Sequence, residues 1–170
     1  MKEKMRNYFE NKNKNAMIYS VSGLAAIIIL MIFETITSTS LTVGFSNFPT
    51  FRELEICFCL DADVCADHIK RNDFINISEE DEYGNTFVIQ KRVVGIEGDE
   101  IKIENGVLYI NGIADTLFPE ADYSGQDMNV VVPENGFFVM GDNRDDSLDS
   151  RYYGCFDKKD IISKTLFGIY

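Results

Sequence analysis

Residues 141–154 hold four aspartates (Asp142, Asp145, Asp146, Asp149), Asn143, two arginines (Arg144, Arg151) and two serines (Ser147, Ser150), with Gly141 and Gly154 at the ends. These side chains supply donors, acceptors and both signs of charge. No hydrophobic period runs through them, so the segment is neither an amphipathic helix nor a half-buried strand. The apolar run Gly136, Phe137, Phe138, Val139, Met140 leads directly into it. A buried strand therefore delivers a polar loop to one place, and loops on a rigid scaffold are where catalytic and binding groups collect. A solvated acidic turn is the plain alternative, but such a turn does not call for Arg, Asp and Ser interleaved so densely.

Two further positions have the chemistry of a base and a nucleophile. In residues 87–93 side chains alternate between faces, which places Phe87, Ile89, Lys91 and Val93 together and Gln90 and Arg92 opposite. A lysine on an apolar face either snorkels to solvent from a sheet edge, or is desolvated, so that its pKa falls and it can accept a proton. Both readings stay open on residue pattern alone. Residues 44–50 offer Ser46 in a turn stiffened by Gly44 and Pro49. Ser38 and Ser40 lie nearby, in a Thr/Ser run with no rigidifying residue.

The elements that must position these groups read as β-structure. Residues 51–60 form a strand with Ile56, Phe58 and Leu60 on one side; 73–77 is a shorter strand and 86–94 a strong one. Residues 101–104 and 107–110 flank Asn105-Gly106, the pair that supplies the positive φ angles of a type I′ hairpin turn. Asn111-Gly112 closes the second of these strands. Residues 130–132 and 137–140 are separated by a turn at 133–136, and 166–170 is a final apolar run. Residues 161–164 fit a short helical turn, and the acidic stretch 79–82 an exposed loop. The expectation is a mainly β domain of about 135 residues, large enough to bury its own core.

Ahead of this domain, residues 16–33 form an 18-residue run without charge. That length suits a transmembrane helix and exceeds most signal-peptide cores. No small-residue cleavage site follows, so it reads as a retained anchor. Its apolar residues surround the helix, unlike those of a surface helix packed on a core. The net charge is −12; residues 1–33 carry a balance of +3, which leaves −15 for the remainder. Positive charge before the span places residues 1–15 in the cytoplasm and residues 34–170 outside. So acidic a domain does not suit nucleic acid, whose phosphates would repel it. Cys57, Cys59, Cys65 and Cys155 show no zinc spacing, and an exported domain permits disulfides. Cys57 and Cys59, two apart in a strand, share a face and read as small core side chains rather than a bridge. Nothing in the pattern fixes an oligomeric state.

The stretch 141–154 resembles the C-terminal signature G-D-N-R-x-x-S-x-D-S-R-x-x-G of the type I signal peptidases at every fixed position. Ser46-Asn47-Phe48-Pro49-Thr50 is similar to the S-M-x-P-T box that carries that family's serine, and residues 91–99 to the K-R-V-x-G-x-P-G-D box that carries its lysine. Lys70-Arg71-Asn72-Asp73 is looser kin to a K-R-G-D that opens another family strand. The boxes stand in family order behind an anchor, and the short 99–136 stretch resembles the compact single-anchor form of Gram-positive bacteria. This resemblance implies a signal-peptidase-like antiparallel β domain with one N-terminal transmembrane helix, and a membrane-bound serine endopeptidase without metal or organic cofactor. It implies Ser46 as nucleophile, Lys91 as general base and Ser147 as the hydroxyl that hydrogen-bonds and orients the lysine. Asp149 and Arg151 would form a supporting ion pair, and Asp142, Asn143 and Arg144 would be structural. The implied substrates are exported preproteins, cut after small residues at −1 and −3, near the bilayer that holds the anchor.

Three positions depart from the boxes. Asn47 stands in place of methionine and Glu97 in place of proline. Gly44 stands where the large form has a serine that donates a second hydrogen bond to the oxyanion, beside the backbone N–H of Ser46. Two other functions fit parts of the chain. A calcium-binding surface module would use Asp142, Asn143, Asp145, Asp146 and Asp149, although glycine and glutamate are missing at the loop positions calcium loops require. A sortase-like cysteine transpeptidase would need a Cys, an Arg and the lone His68 to converge.

Overall fold

The computed structural model describes residues 1–80, 83–118, 121, 123 and 126–169. The chain divides into two compact units, Met1–Thr37 and Ser38–Tyr170. The first is one helix, α1 (Lys2–Ile36), with the apolar stretch exposed all round. It is long and apolar enough to cross a membrane, and its 35 residues span about 52 Å at the α-helical rise. The helix continues through the basic N-terminal segment without a break.

The second unit is built on two antiparallel sheets. The larger contains β1 (Thr37–Leu41), β2 (Ile56–Asp61), β3 (Phe74–Glu80), β4 (Thr86–Ile96), β9 (Gly136–Met140), β10 (Phe156–Asp157) and β11 (Ile161–Ile169), in the order β1-β2-β11-β3-β4-β9-β10. The smaller holds β5 (Glu100–Glu104), β6 (Val107–Ile110), β7 (Ile113–Ala114) and β8 (Met128–Val131), in the order β7-β6-β5-β8. Two short helices, α2 (Ala62–Cys65) and α3 (Ser150–Tyr153), lie in connections.

Strand β9 explains why residues 136–140 are apolar throughout. All five are buried. Phe137 and Val139 join one core with Ile75, Ile77 and Val93, while Phe138 and Met140 join a second with Ile101, Ile103, Leu108 and Val132. A strand clothed on both faces has no polar side to alternate with. It fixes the position of the loop that follows.

The hairpin at Asn105-Gly106 forms as expected, with φ of 52° and 76°. Asn111-Gly112, at 53° and 76°, closes β6 as expected and turns the chain into β7. Other readings need correction. The strand expected over 51–60 begins only at Ile56, because Phe51 N is drawn back to Asn47 O, Arg52 N donates to the Glu55 carboxylate and Leu54 takes a positive φ of 61°, which turns 51–55. Residues 161–164 are strand, since they pair with both β2 and β3. The helical turn precedes them at Lys158–Asp160, where Asp157 and Asp160 form a capping box. Glu79 and Glu80 belong to β3, opposite Phe87 and Thr86, and are not loop; Asp81 and Glu82 of that acidic stretch, and Tyr170 of the final run, lie outside the described residues. Strands β8 and β9 flank the turn at 133–136 but enter different sheets. All four cysteines are free, with Cys57 and Cys59 in a small core beside Phe51 and Phe74.

Candidate active site

The loop between β1 and β2 carries Ser46. Gly44, at φ 86°, lets the chain turn where a side chain would be strained. Hydrogen bonds from Phe48 N to Phe45 O and from Phe51 N to Asn47 O, both 3.0 Å, close the loop on itself. The 141–154 loop then grips it from outside. Asn143 donates through its backbone N to Ser46 O at 3.0 Å and through Nδ2 to Phe45 O at 3.2 Å. Thr50 Oγ1 donates to Asp142 Oδ2. Gly141 lies so close that a Cβ there would collide with Ser46 O and Ser147 Oγ.

Lys91 comes from the middle of β4, opposite Ile75 of β3. It does not snorkel: the residue is 4% exposed, beside Ile75 and Val93 at 0%. Its Nζ donates to Ser46 Oγ at 2.7 Å. Burial disfavours the charged amine and pushes its pKa from 10.5 down to about 8. The Asp149 carboxylate opposes that shift, the Arg151 guanidinium reinforces it, and Asp146 opposes it more weakly.

Asp149 and Arg151 pair directly. Asp149 accepts from Arg151 Nε at 2.8 Å and Nη2 at 2.9 Å, and from Gly141 N at 3.0 Å. The pair thus ties the end of β9 to the start of α3, which Asp149 caps. Asp142 is held by Arg92, whose Nε and Nη2 donate at 2.7 and 2.6 Å. Arg144 points elsewhere, donating to Tyr123 Oη at 2.7 Å and stacking 4.5 Å from the Phe118 ring centroid. These pairs occupy two of the five side chains a calcium site would use, and among the described residues no acidic, His or Cys cluster suits a metal. His68 is exposed, whereas Cys57 and Cys59 are enclosed in the core and Cys65 Sγ is turned to the Leu60 carbonyl.

Ser147 departs from expectation. It sits at Gly141, but its buried Oγ has no hydrogen-bond partner among the described residues, and the expected bond to Lys91 is absent. The ammonium's close contact is instead with Ser46. Asn47 is turned inward at 2% exposure, and its Nδ2 donates to Gln90 O at 2.8 Å and Gln90 Oε1 at 3.1 Å. Glu97 accepts from Asn135 N at 2.9 Å and braces the turn before β9. Sequence reasoning missed Thr50, Arg92 and Gln90. Thr50 and Arg92 stood at fixed positions of the two family boxes, and the alternation in β4 that placed Gln90 opposite Lys91 was the signal for Gln90.

A cleft of about 660 Å³ opens over the pair. Residues 38–43 form one wall, residues 87–91 another, and Leu148 and Tyr153 reach in from the 141–154 loop and α3. Strand β1 is a sheet edge, so its backbone is available for pairing with an extended chain.

Residues 15–170 match the family described as signal peptidase, peptidase S26. The chain is 31% identical to signal peptidase I S of Bacillus subtilis, over 98% of this chain and 95% of the relative. It is 31% identical to a signal peptidase I of Bacillus licheniformis, over 91% and 89% of the two chains. With signal peptidase I U of Bacillus subtilis the identity is 34%, over 90% and 86%. The chain belongs to the signal peptidase I family, serine endopeptidases held by a membrane anchor with the catalytic domain outside, which remove signal peptides from exported preproteins.

Proposed function

We propose that Ser46 is the nucleophile and Lys91 the general base. The observation that carries this is the 2.7 Å contact between Ser46 Oγ and a lysine amine that burial holds near pKa 8. Neutral Lys91 takes the hydroxyl proton as Oγ attacks the scissile carbonyl, giving a tetrahedral oxyanion. The backbone N–H of Ser46 has no acceptor among the described residues and is free to donate to it. Collapse breaks the C–N bond, and the Lys91 ammonium returns its proton to the departing amine. Lys91 then takes a proton from water as its oxygen attacks the Ser46 ester; collapse breaks the ester C–O bond, the Lys91 ammonium returns the proton to Ser46 Oγ, and the signal peptide leaves as an acid that ionises in solvent.

In this reading Asp149 and Arg151 support the lysine, Asp142 and Asn143 hold the nucleophile loop, and Arg144 is structural. Residues 1–15 lie in the cytoplasm, 16–33 span the bilayer, and 34–170 form the extracytoplasmic catalytic domain. Substrates are cut after small residues at −1 and −3, as the family resemblance implies. Cleavage of a preprotein series carrying Ala, Ser or Leu at −1 and −3, read by the mass of the mature N-terminus, tests this. Ala and Ser should be accepted at both positions and Leu refused. Equal cleavage after Leu would overturn the specificity.

A further inference from the structure

Ser46 and Asn47 are consecutive, and so are Gln90 and Lys91. Neighbouring side chains leave a strand by opposite faces, so Lys91 and Gln90 stand on either side of β4. The nucleophile loop straddles the strand: Ser46 Oγ meets Lys91 Nζ on one face, while Asn47 Nδ2 meets Gln90 Oε1 on the other and Gln90 O at the edge. That edge is open at Gln90 because β9 pairs with β4 only from Arg92 onward. Gln90 is itself fixed. Its Nε2 donates to Thr165 Oγ1 of β11 at 2.8 Å, and Thr42 Oγ1 donates to its Oε1 at 3.3 Å. The orientation of the amides is set at Asn47: its Nδ2 donates to the Gln90 backbone carbonyl, which can only accept, so the end of the Gln90 amide that meets the same nitrogen is its oxygen. Among the described residues, the side-chain hydrogen bonds of Asn47 go to Gln90 alone, and its Oδ1 has none.

We infer that Gln90 is a positioning residue for the hydrolytic pair: through Asn47 it clamps the nucleophile loop to β4 and holds Ser46 Oγ in line with Lys91. The inference rests on Ser46 and Lys91 being the reacting groups. An amide at 47, where the family box has methionine, suits this chain because another amide faces it.

The test is a double-mutant cycle on the detergent-solubilised full chain with one peptide substrate. It measures kcat, KM and melting temperature for wild type, Gln90→Met, Asn47→Met and the double variant, with Ser46→Ala alongside. Gln90→Met should lower kcat about tenfold, as expected for a lost hydrogen bond that aligns a reacting group, with KM within about twofold. Once Asn47 is methionine, adding Gln90→Met should change kcat by less than about twofold, because the clamp is already gone. Should Gln90→Met fail to fold, Thr165→Val releases Gln90 Nε2 from the far side. Its smaller loss in kcat should likewise vanish in the Asn47→Met background. Equal fold-losses in both backgrounds, or an unchanged kcat in a folded Gln90 variant, would overturn the inference. A Ser46→Ala chain that retains activity would overturn the catalytic pair itself.

Discussion

The proton on Lys91 decides whether Ser46 can attack. An ordinary lysine is almost wholly protonated at neutral pH and could not accept the serine proton. Here burial of the amine at 4% exposure brings its pKa to about 8, while Asp149 limits the fall. The neutral amine is the reactive form, so kcat/KM should rise about tenfold per unit below the midpoint and level off above it, with an apparent pKa near 8. Asp149→Asn keeps the side-chain shape but removes the charge that raises the Lys91 pKa and leaves Arg151, which lowers it, uncompensated. The midpoint of that variant should move to lower pH. A pH–rate profile of each enzyme checks both statements. A flat wild-type profile between pH 6 and 10, or a midpoint moved upward in Asp149→Asn, would contradict the assignment.

At the scale of elements, the site is a meeting of β4, the loop before β2 and the loop after β9. The sequence showed β4 clearly because its apolar alternation is interrupted by a single lysine, and showed β9 because five apolar residues end in a polar loop. The Asn105-Gly106 hairpin was equally legible, since positive φ at both positions is a local demand. What escaped depends on contacts distant in sequence. Asn47 and Gln90 are 43 residues apart, and their pairing exists only because β9 stops short of Gln90. Residues 161–164 were misread because the buried face carries Ser163, which accepts from Asn76, while Ile162 stands exposed, so hydrophobicity does not follow the alternation of burial. The Ser46–Lys91 pair was reached through the resemblance of whole boxes, as each residue alone was ambiguous.

The same scale decides Ser147. Family resemblance assigns it a hydrogen bond to Lys91, whereas here its buried hydroxyl has no partner among the described residues. Deleting an unpaired buried hydroxyl removes a desolvation penalty of about 1–3 kcal/mol instead of breaking a bond. Ser147→Ala should therefore leave kcat within about threefold and melt no lower than wild type. Steady-state kinetics and a thermal melt check this. A tenfold or greater loss in kcat would show that Ser147 engages the lysine when substrate is bound.

At the scale of the whole molecule, an apolar helix and an acidic β domain serve one task. The anchor keeps the enzyme in the membrane that also holds a preprotein's signal peptide, and so raises the local concentration of substrate over free encounter. Catalysis depends on Ser46 and Lys91 acting as one pair. The most direct measurement is processing of a preprotein by the detergent-solubilised chain, comparing wild type, Ser46→Ala and Lys91→Ala at pH 8 to 9, with melting temperatures to confirm folding. Both variants should fold and each should lose processing by about a thousandfold or more, since neither nucleophile nor base can replace the other. A folded Ser46→Ala or Lys91→Ala chain that still processes the preprotein within tenfold of wild type would contradict that pairing.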